Sequence, residues 1–166
     1  MTQFGWGWMS SKGLSATLYD RTTGTNIGNL TSNGTLAAAF DGNLAQTNST
    51  AAIRPNAGPS GGYVGKTMTS SFPIHHIEWR STTNIGLTNT GNVTIYLYAK
   101  NGTPANSTDG TLLGTLAVGS SGANSTWYTV TSSDQSTSYS NVWGFATSPN
   151  AGADIYCAEL AIYVMA

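Results

Sequence analysis

Two carboxylates far apart in the chain have the types and settings to share chemistry. Asp41 sits in the turn Phe40-Asp41-Gly42-Asn43, and Glu159 lies in the C-terminal apolar run Ala158-Glu159-Leu160-Ala161-Ile162-Tyr163. A hard cation needs several oxygen ligands, so if the two stretches meet in one fold, any metal would lie between them. The alternative is that Asp41 accepts backbone hydrogen bonds within its own turn and that Glu159 stays exposed or pairs with Arg or Lys. His75 and His76 are the next candidates. Adjacent residues of a regular strand point to opposite faces, so this pair is not expected to chelate one ion. Glu78 and Glu159 are the residue types of a glycosidase pair, but no feature selects them. With seven acidic residues, two histidines and one cysteine, and no nucleophile elbow, His-Glu-x-x-His or phosphate loop, catalysis is not expected.

The elements that would position these groups read as strands. Residues 37–43 read as a small apolar strand breaking into a loop. Leu14 to Leu30 reads as a hairpin with a polar turn at residues 20–24, and Asn33-Gly34 as a two-residue turn. Residues 44–62 form a long polar loop, of the length that is usually functional or disordered. Tyr63 to Met68 and Ile74 to Trp79 follow as two extended segments, with His75, Ile77 and Trp79 on one face, expected to be core, and His76, Glu78 and Arg80 on the other. Asn92 to Lys100 alternates most cleanly, setting Val93, Ile95, Leu97 and Ala99 against Thr94, Tyr96, Tyr98 and Lys100. Further strands are expected at 111–118, 127–131, 142–147 and 154–165. Short strands between turn signals, with no helical period, predict an all-β sandwich or jelly roll.

Composition agrees. The 166 residues are 39% hydrophobic and only 8% charged, so Ser, Thr, Asn and Gly must solvate the surface, and these favour strands and turns over helices. A formal net charge of −1 without basic or acidic blocks gives nucleic acid or an anionic membrane little to bind. The lone Cys157 excludes an internal disulfide and is expected to act as a small apolar residue. The N-terminus lacks the pattern of a secretory signal, and no membrane span is expected. Residues 1–15, rich in Gly and bearing Phe4, Trp6 and Trp8, read as an arm that packs on its own domain or on a neighbouring subunit; residues 16–166 read as one β-sandwich domain.

Taken in order, Ala39-Phe40-Asp41-Gly42-Asn43, Tyr63-Val64-Gly65, Ile74-His75-His76-Ile77, Val93 to Tyr98 and Ala158-Glu159-Leu160 resemble the discoidin, or coagulation factor 5/8 type C, family. The resemblance runs from about residue 30 to 164 and implies a galactose-binding-like jelly-roll β-sandwich. The wording Gly62-Tyr63-Val64-Gly65-Lys66, Leu97-Tyr98-Ala99-Lys100-Asn101-Gly102 and Asp109-Gly110-Thr111-Leu112-Leu113 is most similar to versions in tailed-phage virion proteins. Two departures stand out. Gln46, Thr47 and Asn48 occupy the segment where many members carry a Thr and a Trp, and Lys66-Thr67-Met68 replaces Asp-Leu-Gly.

The resemblance implies a structural calcium ion held by Asp41, Asn43, Thr47 and Glu159, and a sugar ligand met by Arg54, Asn56, Tyr63 and His75, with Trp79 either beside them or in the core. It also implies a non-enzymatic protein of the phage particle surface, made in the host cytoplasm. In that setting Phe4, Trp6, Trp8, Tyr96 and Tyr98 would be assembly surfaces, and the partners other virion proteins, a cell-surface glycan or both, within a homo-oligomer or larger assembly. The alternatives are a host-receptor adhesin and a carbohydrate-binding module of a non-viral protein.

Overall fold

A computed structural model describes residues 14–166. The expected arm contacts of Phe4, Trp6 and Trp8 lie outside the described residues. Eleven strands are present among the described residues: β1 Ala16–Leu18, β2 Thr25–Gly28, β3 Ser32–Asn33, β4 Ala52–Arg54, β5 Gly62–Arg80, β6 Val93–Lys100, β7 Thr111–Val118, β8 Trp127–Thr131, β9 Ser138–Thr147, β10 Ile155–Cys157 and β11 Glu159–Met165. Eight of them form one antiparallel sheet in the order β1-β11-β5-β9-β6-β7, with β2 and β8 also paired to β5. A small sheet, β10-β4-β3, accompanies it.

The sheet becomes a sandwich because β5 serves both layers. Its first part, Gly62 to Thr67, pairs with β2 and β9, and its last part, Ile74 to Arg80, with β11 and β8. The register to β9 breaks between Thr67 and Phe72, and Pro73, which has no N–H to give a ladder, lies at that irregularity. Sequence reading predicted two strands there; the structure has one 19-residue strand with a bend. Across the core, Trp79 lies against Gly144, where a Cβ would come within 2.7 Å of its ring. Trp79, Ile74, Ile77, Ile95, Leu97, Val142, Leu160 and Ile162 fill the space between the layers, and the Trp79 indole donates to the Tyr156 carbonyl at 2.9 Å. Burying such side chains stabilises the fold by about 1.5–3 kcal/mol each. Cys157 is buried as expected, and burial raises its thiol pKa well above the ordinary range.

Five expectations are corrected. Leu36–Phe40 is a 3-10 helix, not a strand, with Ala39 and Phe40 buried; three consecutive alanines favour helical backbone, and no strand pairs with them. Residues 14–30 are not a hairpin, because β1 pairs with β11 in one layer and β2 with β5 in the other. Asn33-Gly34 is not a hairpin turn either: Asn33, at φ 60°, is already part of β3, and the chain passes on to the 3-10 helix. The 44–62 loop carries β4, whose Ala52 and Ile53 are buried between β3 and β10. Finally, the C-terminal strand is split at Ala158 into β10 and β11, which belong to different sheets.

Candidate functional site

The Asp41 turn and the start of β11 do meet. Gly42, at φ 74°, turns its N–H onto Glu159 Oε2 at 3.0 Å, and Arg21 Nη1 donates to Glu159 Oε1 at 3.0 Å. Glu159 is fully buried. Burial pushes its carboxyl up to about 7, against the lowering pull of Arg21 and the Gly42 N–H and with a further push from Asp41. Asp41 Oδ1 accepts from the Asn43 N–H at 2.7 Å, closing an Asx turn. The Gln46 side-chain amide reaches Asp41 Oδ1 at 3.0 Å, Asp41 Oδ2 at 3.1 Å and the Ala38 carbonyl at 2.7 Å.

These residues do not fit the calcium ion expected of Asp41, Asn43, Thr47 and Glu159. Both Glu159 oxygens and both Asp41 oxygens already accept from the chain's own donors, one of them a guanidinium. Asn43 Oδ1 accepts from Ala45, and the Thr47 hydroxyl pairs with Ser49. Among the described residues, no group of three or more His, Cys, Asp or Glu side chains is arranged to hold a metal.

The four sugar-binding candidates are not gathered. Arg54 donates to the carbonyls of Gly61 and Ser60, which pins its own loop. Asn56, at φ 49°, is exposed, with its backbone N–H on Asp154. Tyr63 lies in the first part of β5 and His75 in the last, on different layers of the sandwich. His75 is half-buried and not a core residue, because a bulge opposite Tyr163 and Val164 falls at this point of β5. The same bulge overturns the expectation that the histidines diverge: His75 Nδ1 and His76 Nδ1 are 2.5 Å apart. His76 also stacks on Tyr163, with ring centroids 4.1 Å apart.

A different cluster forms on the outer face of the other layer. Register places Tyr63 beside Phe145, and Phe145 beside Tyr96; Gly65 lies beside Trp143, and Trp143 beside Tyr98. Tyr98 stacks on Trp143 with centroids 6.0 Å apart and planes 12° from parallel, and Tyr96 on Phe145 at 5.8 Å and 30°. The inner rings are covered: Trp143 donates to the Ser107 carbonyl at 2.8 Å, and Gly61 lies against Phe145. Tyr63, Tyr96 and Tyr98 are half-buried, each keeping part of its ring at the surface. Burial, then the neighbouring Tyr96, raises the Tyr98 pKa. Lys100 and Asp109, 2.7 Å apart, close one border.

Sequence reasoning named Tyr96 and Tyr98 but missed Trp143 and Phe145, whose side chains turn outward because Val142, Gly144 and Ala146 turn in. It also passed over Arg21 as the partner of Glu159. The signal for the aromatic pair was present: Trp143 and Phe145 alternate with small or apolar residues at strand spacing.

No family model matches the sequence, and no curated protein matches it. Solved structures do. A fucolectin from striped bass serum superposes with a TM-score of 0.64 at 11% identity, over 91% of this chain and 49% of that one. The family 32 carbohydrate-binding module of C. perfringens NanJ, solved with galactose, gives 0.58 at 17% identity, over 90% and 99%. A truncated AlyQ with CBM32 and alginate lyase domains gives 0.63 at 14%, over 92% and 34%. The chain thus spans about half of the fucolectin and about a third of the AlyQ chain. At these identities the likeness establishes the fold: an all-β, galactose-binding-like β-sandwich of the kind seen in carbohydrate-binding modules and lectins. The expected link to phage virions draws no support from these neighbours.

Proposed function

We propose that this chain is a non-catalytic glycan-binding module that takes its ligand across the tyrosine face of β5, β9 and β6. The observation that carries this is the set of three partly exposed tyrosines, Tyr63, Tyr96 and Tyr98, on one sheet face, with Tyr96 stacked on Phe145 and Tyr98 on Trp143. No hydroxyl of the three bonds to protein among the described residues, whereas those of Tyr19, Tyr128 and Tyr156 do. Apolar ring faces with unspent hydroxyls suit a sugar, which offers C–H faces for stacking and hydroxyls at the rim. The galactose complex of a neighbouring fold supports the ligand class. Catalysis by a Glu78–Glu159 pair is disfavoured because Glu159 is buried with both oxygens engaged.

The place of action we propose is the surface of a phage particle, on the strength of the sequence wording around residues 62–66, 97–102 and 109–113. Glycan binding there would make the chain an adhesin. Copy number in a particle separates the two roles: a few copies at a tail tip fit host recognition, and hundreds on the head fit decoration.

A glycan-array screen of the full chain, followed by titration of any hit against wild type and Tyr98→Ala, tests the binding. Trp143 stacks against Tyr98, so its emission should change on binding. An array with no hit, or a hit whose affinity is unchanged in Tyr98→Ala, would sink the proposal.

A further inference from the structure

The Gln46 side chain is buried to 1% exposure, in a loop otherwise dominated by exposed residues. Its amide nitrogen faces three oxygens, the Ala38 carbonyl at 2.7 Å and the two Asp41 carboxylate oxygens at 3.0 and 3.1 Å. The opposite atom, Oε1, is buried without a hydrogen-bond partner. An amide has two N–H donors on one end and acceptor lone pairs on the other. Turned the other way, Gln46 would press its carbonyl against three oxygens, one pair of them anionic. The observed orientation leaves one acceptor unmet so that the donor end can sit among the oxygens.

An arrangement of a backbone carbonyl and a carboxylate converging on one point is the donor set of a hard cation. Here the point is filled by an NH2 group, whose two hydrogens carry partial positive charge and point where an ion's charge would act. The nearby Arg21 guanidinium already answers Glu159, the other carboxylate at this junction. We infer that the Gln46 amide plugs an oxygen cage that would otherwise take a divalent cation, so that the Asp41 junction is closed by a side chain and holds without calcium.

Residue 46 then decides whether the junction depends on metal. Gln46→Glu keeps the length and shape of the side chain but replaces the two N–H donors with a second carboxylate facing Asp41. In chelator the two like charges repel, and the turn is weakened. In calcium the same oxygens become ligands, and the ion restores the turn.

Thermal melts of the full chain in chelator and in millimolar calcium chloride provide the test. For wild type the midpoint should be the same in both. For Gln46→Glu it should fall in chelator and rise by at least about 5 °C in saturating calcium, as expected for a ligand that binds only the folded state. If Gln46→Glu does not fold in chelator, its appearance as a folded, melting species only in calcium gives the same result. If it folds in neither, Gln46→Ala, which empties the cage without adding charge, should show the calcium-dependent rise. A wild-type midpoint that drops in chelator overturns the inference, as do folded Gln46 variants indifferent to calcium.

Discussion

The Asp41 junction and the tyrosine face are both places where polar groups gather at a strand pairing, yet they end in opposite states. At the junction every carboxylate oxygen has found a donor within the chain, and Glu159 and Gln46 are sealed from water. On the tyrosine face Tyr96 and Tyr98 stack on Phe145 and Trp143 of the neighbouring strand, while the hydroxyls of Tyr63, Tyr96 and Tyr98 find no protein partner among the described residues. The contrast teaches where recognition can live. Buried polar groups that satisfy one another rigidify a fold, and groups that keep their hydrogen-bonding capacity at the surface have it to offer to a ligand. The residues that look most chemical in the sequence therefore act as a clasp, and those that look like ordinary sheet surface make the better site.

Removing Arg21 should break this contrast most severely. Arg21→Ala leaves Glu159 buried without its cation and should lower stability by about 3 kcal/mol in denaturant melts at a pH well above 7, where the carboxyl is ionised, the low end for a buried pair because the Arg21 side chain is 31% exposed. A loss below about 1 kcal/mol would mean that the clasp is not sealed.

A pH series sharpens the same point. Because the Glu159 carboxyl is pushed up to about 7 in the folded chain, from an ordinary value of 4.5, the unfolded chain releases its proton first as pH rises. The stability contributed by this group is complete below about pH 4.5 and declines as pH rises through 7, with a slope of at most roughly 1.4 kcal/mol per pH unit. Glu159→Gln should flatten this part of the profile, and a wild-type profile that rises over the same window would contradict the assignment.

On the open face the expected pattern reverses. Tyr96→Ala and Tyr98→Ala should each cost about 1 kcal/mol of stability or less, the scale of a cross-strand pair, while weakening glycan binding about tenfold or more. Equal losses of folding and binding would mean that these rings are structural after all. The smallest effect belongs to the border: Asp109→Asn removes the partner of the solvent-facing Lys100, and its melting midpoint should be indistinguishable from wild type.

Much of the strand content was legible because alternation survives in isolation. Val93 to Lys100 reads in and out in the structure as it does in the sequence, burial alternating at every position. The 36–40 segment misled because a run of small apolar residues suits a strand or a short helix equally well, and the choice depended on what lay beside it. β5 misled because Pro73 and the exposed residues 69–71 look like a break, whereas the backbone bends there and runs on into the second layer. The pairing of His75 with His76 was illegible for a related reason: a bulge changes which face a side chain takes, and it belongs to the pairing of two strands, not to either one.

By itself, the sequence determined an all-β sandwich with little charge, and the approach of the Asp41 turn to Glu159. Only the tertiary structure decided that Arg21 and Gln46 would take up those oxygens and that Trp143 and Phe145 would support Tyr98 and Tyr96. The physical reason is that composition and periodicity act through neighbours along the chain. Hydrogen-bond partners and stacked rings are matched across strands brought together from distant positions, Arg21 with Glu159 and Tyr98 with Trp143.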